Sequence, residues 1–325
     1  MSIYLPERIS QIGEYSFSSS LIYKLKFQGN SQLKKIGKFA FYKSSLEVLS
    51  IPSSVEEFGE GWCWQTNYLT KIKIKQNNNG KQNLKLFNDS LLIGKSNNDN
   101  DDFDVLLFAP RNIEHVKIPH FIKTISSYAF ENCIRLRTIE FEENSQLQFI
   151  NKFAFSETSI EKISIPSHVK VIGESSFKNC ENLNEIIFSE DSELEFIENS
   201  AFENTSIECI SIPKKVTQIY ENSFADCEKL IEVRFSNDSE LKYINKMAFL
   251  RSKISKLAIP SSFSKFMKGW CTRANLLKDI QILESNERNI ISYKNEFILG
   301  KSNPKNEQFD VLLFANRNIT EAIIP

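Results

Sequence analysis

The sequence has no long apolar run, almost no net charge and only three histidines. A membrane-spanning helix needs a continuous apolar run of about 18 residues or more, and no such run is present. Lysine and arginine nearly balance aspartate and glutamate, 40 against 41, so no global charge favours nucleic acid or an anionic membrane. We therefore predict a protein that neither inserts into membranes nor binds nucleic acid.

Catalytic and metal-binding motifs are also missing. His115, His120 and His168 have no second ligand or nucleophile at a useful spacing, which argues against zinc and against Cys-His catalysis. The sequence has no phosphate-binding glycine loop and no Gly-x-Ser-x-Gly elbow. It therefore predicts no enzyme activity, no catalytic residue, no metal site and no cofactor.

What the sequence does contain is a repeat. An Ile-Pro pair recurs at Ile118, Ile165, Ile212 and Ile259, at a constant interval of 47 residues. Each interval holds two copies of the pattern L-x-x-L-x-L, mostly 23 or 24 residues apart, which is the length class of leucine-rich repeats. We predict one α/β solenoid over residues 1–325, with about 12 turns. It would be right-handed, with a parallel concave β-sheet and short helical or irregular convex segments.

A phenylalanine closes a short segment after an isoleucine in most turns. This spacing suits a short helical turn whose phenylalanine points into the core, and it favours a core role over a cofactor-binding one. Each fully buried phenylalanine should stabilise the fold by roughly 1.5 to 3 kcal/mol. The predicted spine consists of Phe17, Phe41, Phe130, Phe155, Phe177, Phe202, Phe224 and Phe249.

Two turns are oversized and are copies of each other. Gly61-Trp62-Cys63 matches Gly269-Trp270-Cys271, and residues 103–109 and 309–315 both read FDVLLFA. We predict a β-hairpin insert in each, at about residues 75–112 and 283–318. The strands are expected around Leu91–Ile93 and Val105–Phe108, and around Phe297–Leu299 and Val311–Phe314. Loop 97–104 is rich in the oxygens that suit calcium, but its duplicate carries proline and lysine, which favours a solvated turn.

The cysteines do not form an obvious disulfide framework. Cys133, Cys180 and Cys227 occupy the same site in alternate turns, so neighbours should lie roughly 9 to 10 Å apart. A disulfide needs Cα atoms within about 7 Å. We predict that these three are reduced and buried, and that Cys209 is exposed on the concave face.

Several motifs together resemble the BspA-like leucine-rich repeat family. They are Ile-Gly-x-x-x-Phe at residues 12–17, Ala-Phe-x-x-Cys at 129–133, and the recurring Leu-x-x-Ile-x-Phe and Ile-x-x-Ile-x-Ile-Pro strands. The resemblance covers nearly the whole chain. It implies a surface or secreted protein of the kind found in mucosal bacteria and parasitic protists, associated with adhesion to host or neighbouring cells.

Two departures from that family bear on localisation and extent. Residues 1–11 have no basic stretch followed by an apolar core, so the sequence predicts no secretory signal. Neither end has a polar capping element, which predicts a fragment of a longer array or end-to-end self-association. Sequons at Asn88, Asn204, Asn237 and Asn318 are compatible with secretion.

The outward positions of the early strands predict a partner-binding surface. Residues before and between the last two apolar positions of each pattern should face the concave surface. In the first strands these form a basic strip of Lys24, Lys26, Lys71, Lys73, His115 and Lys117. The strip could simply keep the sheet soluble, or it could bind an acidic protein or an anionic glycan. The leading hypothesis is a non-enzymatic adhesion and recognition protein at the cell surface; the alternative is a cytoplasmic scaffold for protein interactions.

Overall fold

In the computed structural model, exposed and buried side chains alternate along the β-strands of the repeat. In β-strand His115–Ile118, for example, His115 and Lys117 are exposed whereas Val116 and Ile118 are buried. The structure describes residues 1–76, 82–97, 101–284, 287–294, 296–303, 305 and 307–315. The chain divides into two compact units, Met1–Ser159 and Ile160–Pro325, and each is a stack of repeat turns.

In the first unit, each turn has a long strand, and each turn except that of Lys71–Lys75, which carries the insert, also has a two-residue strand. The long strands are β1 (Ser2–Leu5), β3 (Lys24–Phe27), β5 (Val48–Pro52), β7 (Lys71–Lys75), β11 (His115–Ile118) and β13 (Thr138–Phe141). The short strands are β2 (Gln11–Ile12), β4 (Lys35–Ile36), β6 (Glu57–Phe58), β12 (Thr124–Ile125) and β14 (Phe149–Ile150). Long strands pair in parallel in the order β1-β3-β5-β7, and β11 pairs with β13.

The second unit repeats this arrangement. Its long strands are β15 (Lys162–Ile165), β17 (Glu185–Phe188), β19 (Cys209–Ile212), β21 (Glu232–Phe235), β23 (Lys256–Pro260) and β25 (Gln281–Leu283). Its short strands are β16 (Val171–Ile172), β18 (Phe196–Ile197), β20 (Gln218–Ile219), β22 (Tyr243–Ile244) and β24 (Lys265–Phe266). The parallel pairs are β15-β17, the series β19-β21-β23-β25, and the short-strand series β16-β18-β20-β22-β24.

Each insert is a three-stranded antiparallel sheet, one strand more than the predicted hairpin. The first contains β8 (Leu84–Phe87), β9 (Leu91–Gly94) and β10 (Val105–Phe108), and β10 also pairs in parallel with β12. The second contains β26 (Ile290–Tyr293), β27 (Phe297–Gly300) and β28 (Val311–Ala315). The inner and return strands lie where the sequence placed them. The strand predicted to open at Ile319 and the sequon Asn318 lie outside the described residues.

The convex segments, predicted as short helical or irregular, are irregular turns; the described residues contain no helix. In the segment 13–20, Tyr15 and Ser19 have positive φ values of 53° and 55°, which interrupt a right-handed helix. The N–H groups of Tyr15, Phe17 and Ser19 instead donate to carbonyls of the next turn, Lys38, Ala40 and Tyr42, at 2.7 to 3.2 Å. Each such turn segment therefore adds a hydrogen-bonded ladder to the stack.

Seven of the eight phenylalanines of the predicted spine lie in the core. Phe41, Phe130, Phe155, Phe177, Phe202, Phe224 and Phe249 are all fully buried, and Phe17 is half-buried. Neighbouring rings stack: Phe130 on Phe155 at 4.9 Å between centroids, and Phe202 on Phe224 at 5.5 Å. In the two Gly-Trp-Cys turns a tryptophan takes over this role; Trp62 contacts Phe41 edge-on at 6.3 Å.

Candidate recognition surface

Four lysines of the predicted basic strip share one sheet. Strand register places Lys24 opposite Val48 and Val48 opposite Lys71. One step along the same face, Lys26 and Lys73 lie on either side of Ser50. Lysines two strands apart are therefore about 10 Å apart across the sheet. All four side chains are at least partly exposed, so they form a compact cationic patch on the first unit.

The other two residues of the strip lie on a different strand pair. His115 and Lys117 are exposed on β11, which pairs with β13; β7 ends the preceding sheet. The insert separates β7 from β11 in the chain. His115 Nδ1 lies 2.7 Å from Thr138 Oγ1 on the neighbouring strand. The strip is thus divided into a group of four lysines and a separate His115–Lys117 pair.

The surroundings of these lysines differ from those of charges on the second unit's long strands. Among the described residues, no carboxylate lies within ion-pair distance of Lys24, Lys26, Lys71 or Lys73. Lys26 instead lies 5.3 Å above the ring centre of Tyr4. On the second unit, Lys162 pairs with Glu185 at 3.0 Å and Arg234 with Glu232 at 2.6 Å. The four lysines of the first unit's sheet therefore lack the ion pairs that Lys162 and Arg234 make on the second unit.

The burial or exposure of four cysteines agrees with the sequence-based expectation. Cys133, Cys180 and Cys227 are buried and outside any disulfide, and Cys209 is exposed on β19. Burial raises the pKa of Cys133 and that of Cys227 to about 11 each. Cys227 Sγ also contacts Phe202 O at 3.0 Å, so this column supplies small buried groups that bond to the backbone of the preceding turn.

A buried ionic cluster lies where the first insert rejoins the repeat. Arg111 extends into the core, and its Nη1 donates to Ala129 O at 3.0 Å and Nη2 to Tyr128 O at 3.3 Å. The same guanidinium lies 3.6 Å from Cys63 Sγ and 3.8 Å from Cys133 Sγ. Arg111 therefore joins the turn that precedes the insert to the turn that follows it.

Glu131 supplies the opposite charge in this cluster. Its Oε2 lies 4.0 Å from Arg111 Nη2 and accepts the backbone N–H of Gln65 at 3.3 Å. Burial raises the pKa of Glu131 to about 7, against the opposing effects of Arg111 and the Gln65 hydrogen bond. Burial opposes the charge on Arg111, but Cys63, Cys133 and Glu131 raise its pKa, so the guanidinium remains protonated. The cluster therefore lies in the core, and its Glu131 carboxyl group titrates near neutral pH.

Sequence reasoning missed this cluster, although two signals were present. Cys63 stands at the position where most other turns carry the spine phenylalanine, which leaves space for another group. Arg111 follows the duplicated FDVLLFA segment, and Arg317 follows its second copy at the same spacing. Arg317 lies outside the described residues.

In the insert loops, two aspartates accept hydrogen bonds from serines of the same loop and so have a structural role. Asp104 accepts both the N–H and the hydroxyl of Ser96, each at 2.9 Å. Asp310 makes the same pair of bonds with Ser302 at 2.7 and 2.6 Å. These hydrogen bonds join the two ends of each loop. In the part of the chain that the structure describes, no three histidine, cysteine, aspartate or glutamate side chains are placed to share a metal ion.

A family comparison decides what the repeat is. The model of the BspA type leucine-rich repeat region matches in six copies, over residues 1–93, 105–231, 148–278 and 195–320. The chain belongs to this family. The resemblance inferred from the motifs is therefore confirmed. A search of the curated proteins found no match.

Solved structures of leucine-rich repeat proteins have a similar fold. A leucine-rich repeat protein from Eubacterium ventriosum is 22% identical with a TM-score of 0.61, covering 84% of this chain and 76% of that one. A leucine rich cell surface protein from Faecalibacterium prausnitzii is 21% identical with a TM-score of 0.54, covering 88% and 60%. The pneumococcal vaccine antigen PcpA is 20% identical with a TM-score of 0.51, covering 86% and 62%. This chain thus spans less than two thirds of the latter two.

One further structural feature concerns membranes. Within the described ranges, no helix has the length and apolar character that crossing a bilayer would require.

Proposed function

We propose that this BspA-type protein is a non-enzymatic recognition and adhesion protein, displayed at the cell surface or secreted, that binds an anionic macromolecule through Lys24, Lys26, Lys71 and Lys73. The observation that carries the proposal is the set of four lysines on one sheet without a carboxylate partner among the described residues. Family membership and the cell-surface description of the Faecalibacterium protein support a role outside the cell.

Local spacing explains why these lysines would act together. Exposed charges are screened over about 8 Å at physiological salt, but lysines within about 7 to 10 Å of one another add to a common positive field. A partner with closely spaced negative groups, such as a sulfated glycan or an acidic protein surface, would gain from all four. His115 and Lys117 would extend such contacts along the neighbouring strands.

The test is binding of heparin, a sulfated glycan, at increasing salt concentration. We expect affinity to fall as salt rises and to drop sharply in a Lys71→Glu, Lys73→Glu variant. A Glu185→Lys, Glu232→Lys variant is the matched control, because it reverses outward charges at corresponding strand positions in the second unit. If both variants bind heparin like the unmodified protein, the lysines serve only solubility.

A cytoplasmic scaffold is the second candidate, and the free thiols are compatible with it. None of the six cysteines is in a disulfide, as expected of a reducing compartment. Labelling of intact cells, together with a glycosidase-induced mass shift at Asn88, Asn204 or Asn237, would support surface display. Exclusive recovery in the cytosolic fraction would support the scaffold.

A further inference from the structure

The turn segments of the two units differ at one position, two residues before the spine phenylalanine. In the first unit this position holds Tyr15, Phe39, Tyr128 and Phe153; in the second it holds Ser175, Ser200, Asn222 and Met247. All eight residues have positive φ, between 53° and 64°. Small and polar residues tolerate this backbone conformation better than bulky aromatic ones. Since the fold accepts serine here, the aromatic residues of the first unit need another explanation.

Together with Trp64, the four aromatic residues of the first unit form a continuous line. Ring centroids are 5.2 Å apart for Tyr15 and Phe39, 5.5 Å for Phe39 and Trp64, 5.6 Å for Trp64 and Tyr128, and 5.2 Å for Tyr128 and Phe153. We call these five residues the aromatic stripe. Its first three contacts are inclined at 43° to 44°, so successive rings do not cover each other's faces completely.

The remaining turn of the first unit is adapted to the stripe. Gly61 occupies the position that carries an aromatic residue in the turns on either side. A Cβ at Gly61 would overlap the ring of Phe39 and lie 3.4 Å from that of Tyr128. At Gly269, its counterpart in the second unit, a Cβ would meet only the Thr272 hydroxyl among the described residues. The absence of a side chain at Gly61 therefore allows the rings to continue across this turn.

The stripe is partly accessible to solvent, and its border carries positively and negatively charged side chains. Tyr15 is 51% exposed, Phe39, Trp64 and Phe153 are half-buried, and Tyr128 is only 3% exposed. Lys38 lies 5.1 Å above the Phe39 ring and pairs with Glu60 at 2.9 Å. In the second unit Lys246 and Glu221 form the equivalent ion pair, and two more pairs, Lys178–Glu203 and Arg251–Asp226, lie on turn positions near it in the repeat. Aromatic residues with a mixed charged border fit an uncharged protein segment better than a polyanion.

We propose that the aromatic stripe binds a proline-rich segment in the polyproline II conformation. Aromatic-lined surfaces recognise such segments, which are already extended before binding. Polyproline II rises about 3.1 Å per residue with three residues per turn, so equivalent prolines recur about every 9 Å. Alternate rings of the stripe, two turns apart, recur at about 10 Å. The near match lets every third proline contact one of the accessible alternate rings, those of Tyr15, Trp64 and Phe153. This surface is separate from the lysines of the proposed function and does not depend on them.

The experiment titrates the full chain with an oligoproline peptide of about ten residues, which forms polyproline II. Intrinsic fluorescence is a suitable readout, because Trp64 is half-buried whereas Trp62 and Trp270 are only 3% and 7% exposed. A flexible Gly-Ser peptide of equal length is the ligand control. We expect saturable oligoproline binding that changes little with salt, and no binding of the Gly-Ser peptide.

A Tyr15→Ser, Phe39→Ser variant installs the residue that Ser175 and Ser200 supply at the same position. We expect about a tenfold loss of oligoproline affinity, measured by isothermal titration, with heparin binding unchanged. Asn222→Ser, Met247→Ser is the matched control and should bind like the unmodified chain. The single variant Tyr15→Ser, at the exposed end of the stripe, provides the same test if the double variant folds poorly. Absent oligoproline binding, equal binding of the Gly-Ser peptide, or full affinity in a folded Tyr15→Ser, Phe39→Ser variant would each overturn the proposal.

Discussion

The guanidinium of Arg111 lies 3.6 Å from the Sγ atom of Cys63, at the position along the turn where most other turns carry the spine phenylalanine. The exchange of phenylalanine for cysteine leaves space for a charged group in the core. Arg111 also lies 4.6 Å above the ring of Phe108, on the insert's return strand. A single side chain thus connects the insert with the turns on both sides of it.

Replacement of Arg111 should therefore destabilise the protein strongly. Arg111→Met removes one partner of a buried ion pair and leaves Glu131 without its countercharge, a change that typically costs about 3 to 5 kcal/mol. The free energy of unfolding in urea measures this. Arg135→Met is the control, since Arg135 and its partner Glu114 are 66% and 59% exposed and such pairs contribute about 0 to 1 kcal/mol. Equal effects of the two substitutions would contradict a structural role for the cluster.

Glu131 should make stability depend on pH. Its pKa of about 7 in the folded protein lies above the ordinary value of 4.5, so unfolding between these values releases a proton. The contribution of Glu131 is therefore fully present below pH 4.5 and declines as the pH rises to 7. We expect Glu131→Gln to flatten this part of the profile of unfolding free energy against pH.

Glu142 provides a control, because its pKa is shifted in the opposite direction. Hydrogen bonds from the backbone and side chain of His120 lower the pKa of Glu142, so its contribution is lost as the pH falls. Glu142→Gln should leave the decline between pH 4.5 and 7 in place. If Glu131→Gln keeps the same decline as the unmodified protein, the titrating group lies elsewhere.

The repeat made much of the fold predictable. A constant 47-residue interval sets the register of successive strands, and burial of Phe41, Phe177 and Phe224 follows from the same periodicity. The outward positions of Lys71 and Lys73 follow from simple alternation along a strand. These features depend on nearest-neighbour stacking, which a periodic sequence specifies directly.

Other features depend on contacts that the period does not encode. Arg111 meets Cys63 and Cys133 only because the insert closes back on the repeat. Tyr15, Phe39 and Ser175 adopt positive φ without the glycine that would indicate it, so the sequence alone does not distinguish these irregular turns from short helical ones. The role of Gly61 likewise becomes visible only when the rings of Phe39 and Tyr128 are placed.

Phe177→Ala should cost about 3 to 5 kcal/mol of unfolding free energy, because it removes a fully buried ring that stacks on Phe202 at 5.4 Å. The thermal midpoint would fall accordingly. Phe196→Ala in the same unit is the comparison, because Phe196 is 36% exposed and its removal leaves little void. An unchanged midpoint for Phe177→Ala would place this ring outside the core.

Thiol reactivity should separate the cysteines. Cys209 is exposed, whereas Cys63, Cys133, Cys180 and Cys227 are buried, and burial raises the pKa of the Cys63 thiol to about 12. Under native conditions a maleimide reagent should modify Cys209 rapidly and spare these four, as peptide mass spectrometry would show. Rapid modification of Cys133 or Cys227 would contradict the strand register described above.

Gly61→Ala and Gly269→Ala should lower the free energy of unfolding by different amounts, although the two glycines occupy the same position in the repeat. Their φ values are 58° and 69°, so both substitutions place alanine in a left-handed conformation that costs about 1 to 2 kcal/mol. Only at Gly61 would the new methyl group also displace the ring of Phe39, and such overpacking typically adds about 1 to 3 kcal/mol. We expect a larger loss of unfolding free energy for Gly61→Ala, together with a shift in Trp64 fluorescence. In a Phe39→Ser background the difference between the two glycine substitutions should largely disappear. Equal losses in the unmodified background would mean that the stripe readily moves aside and that Gly61 serves only the backbone turn.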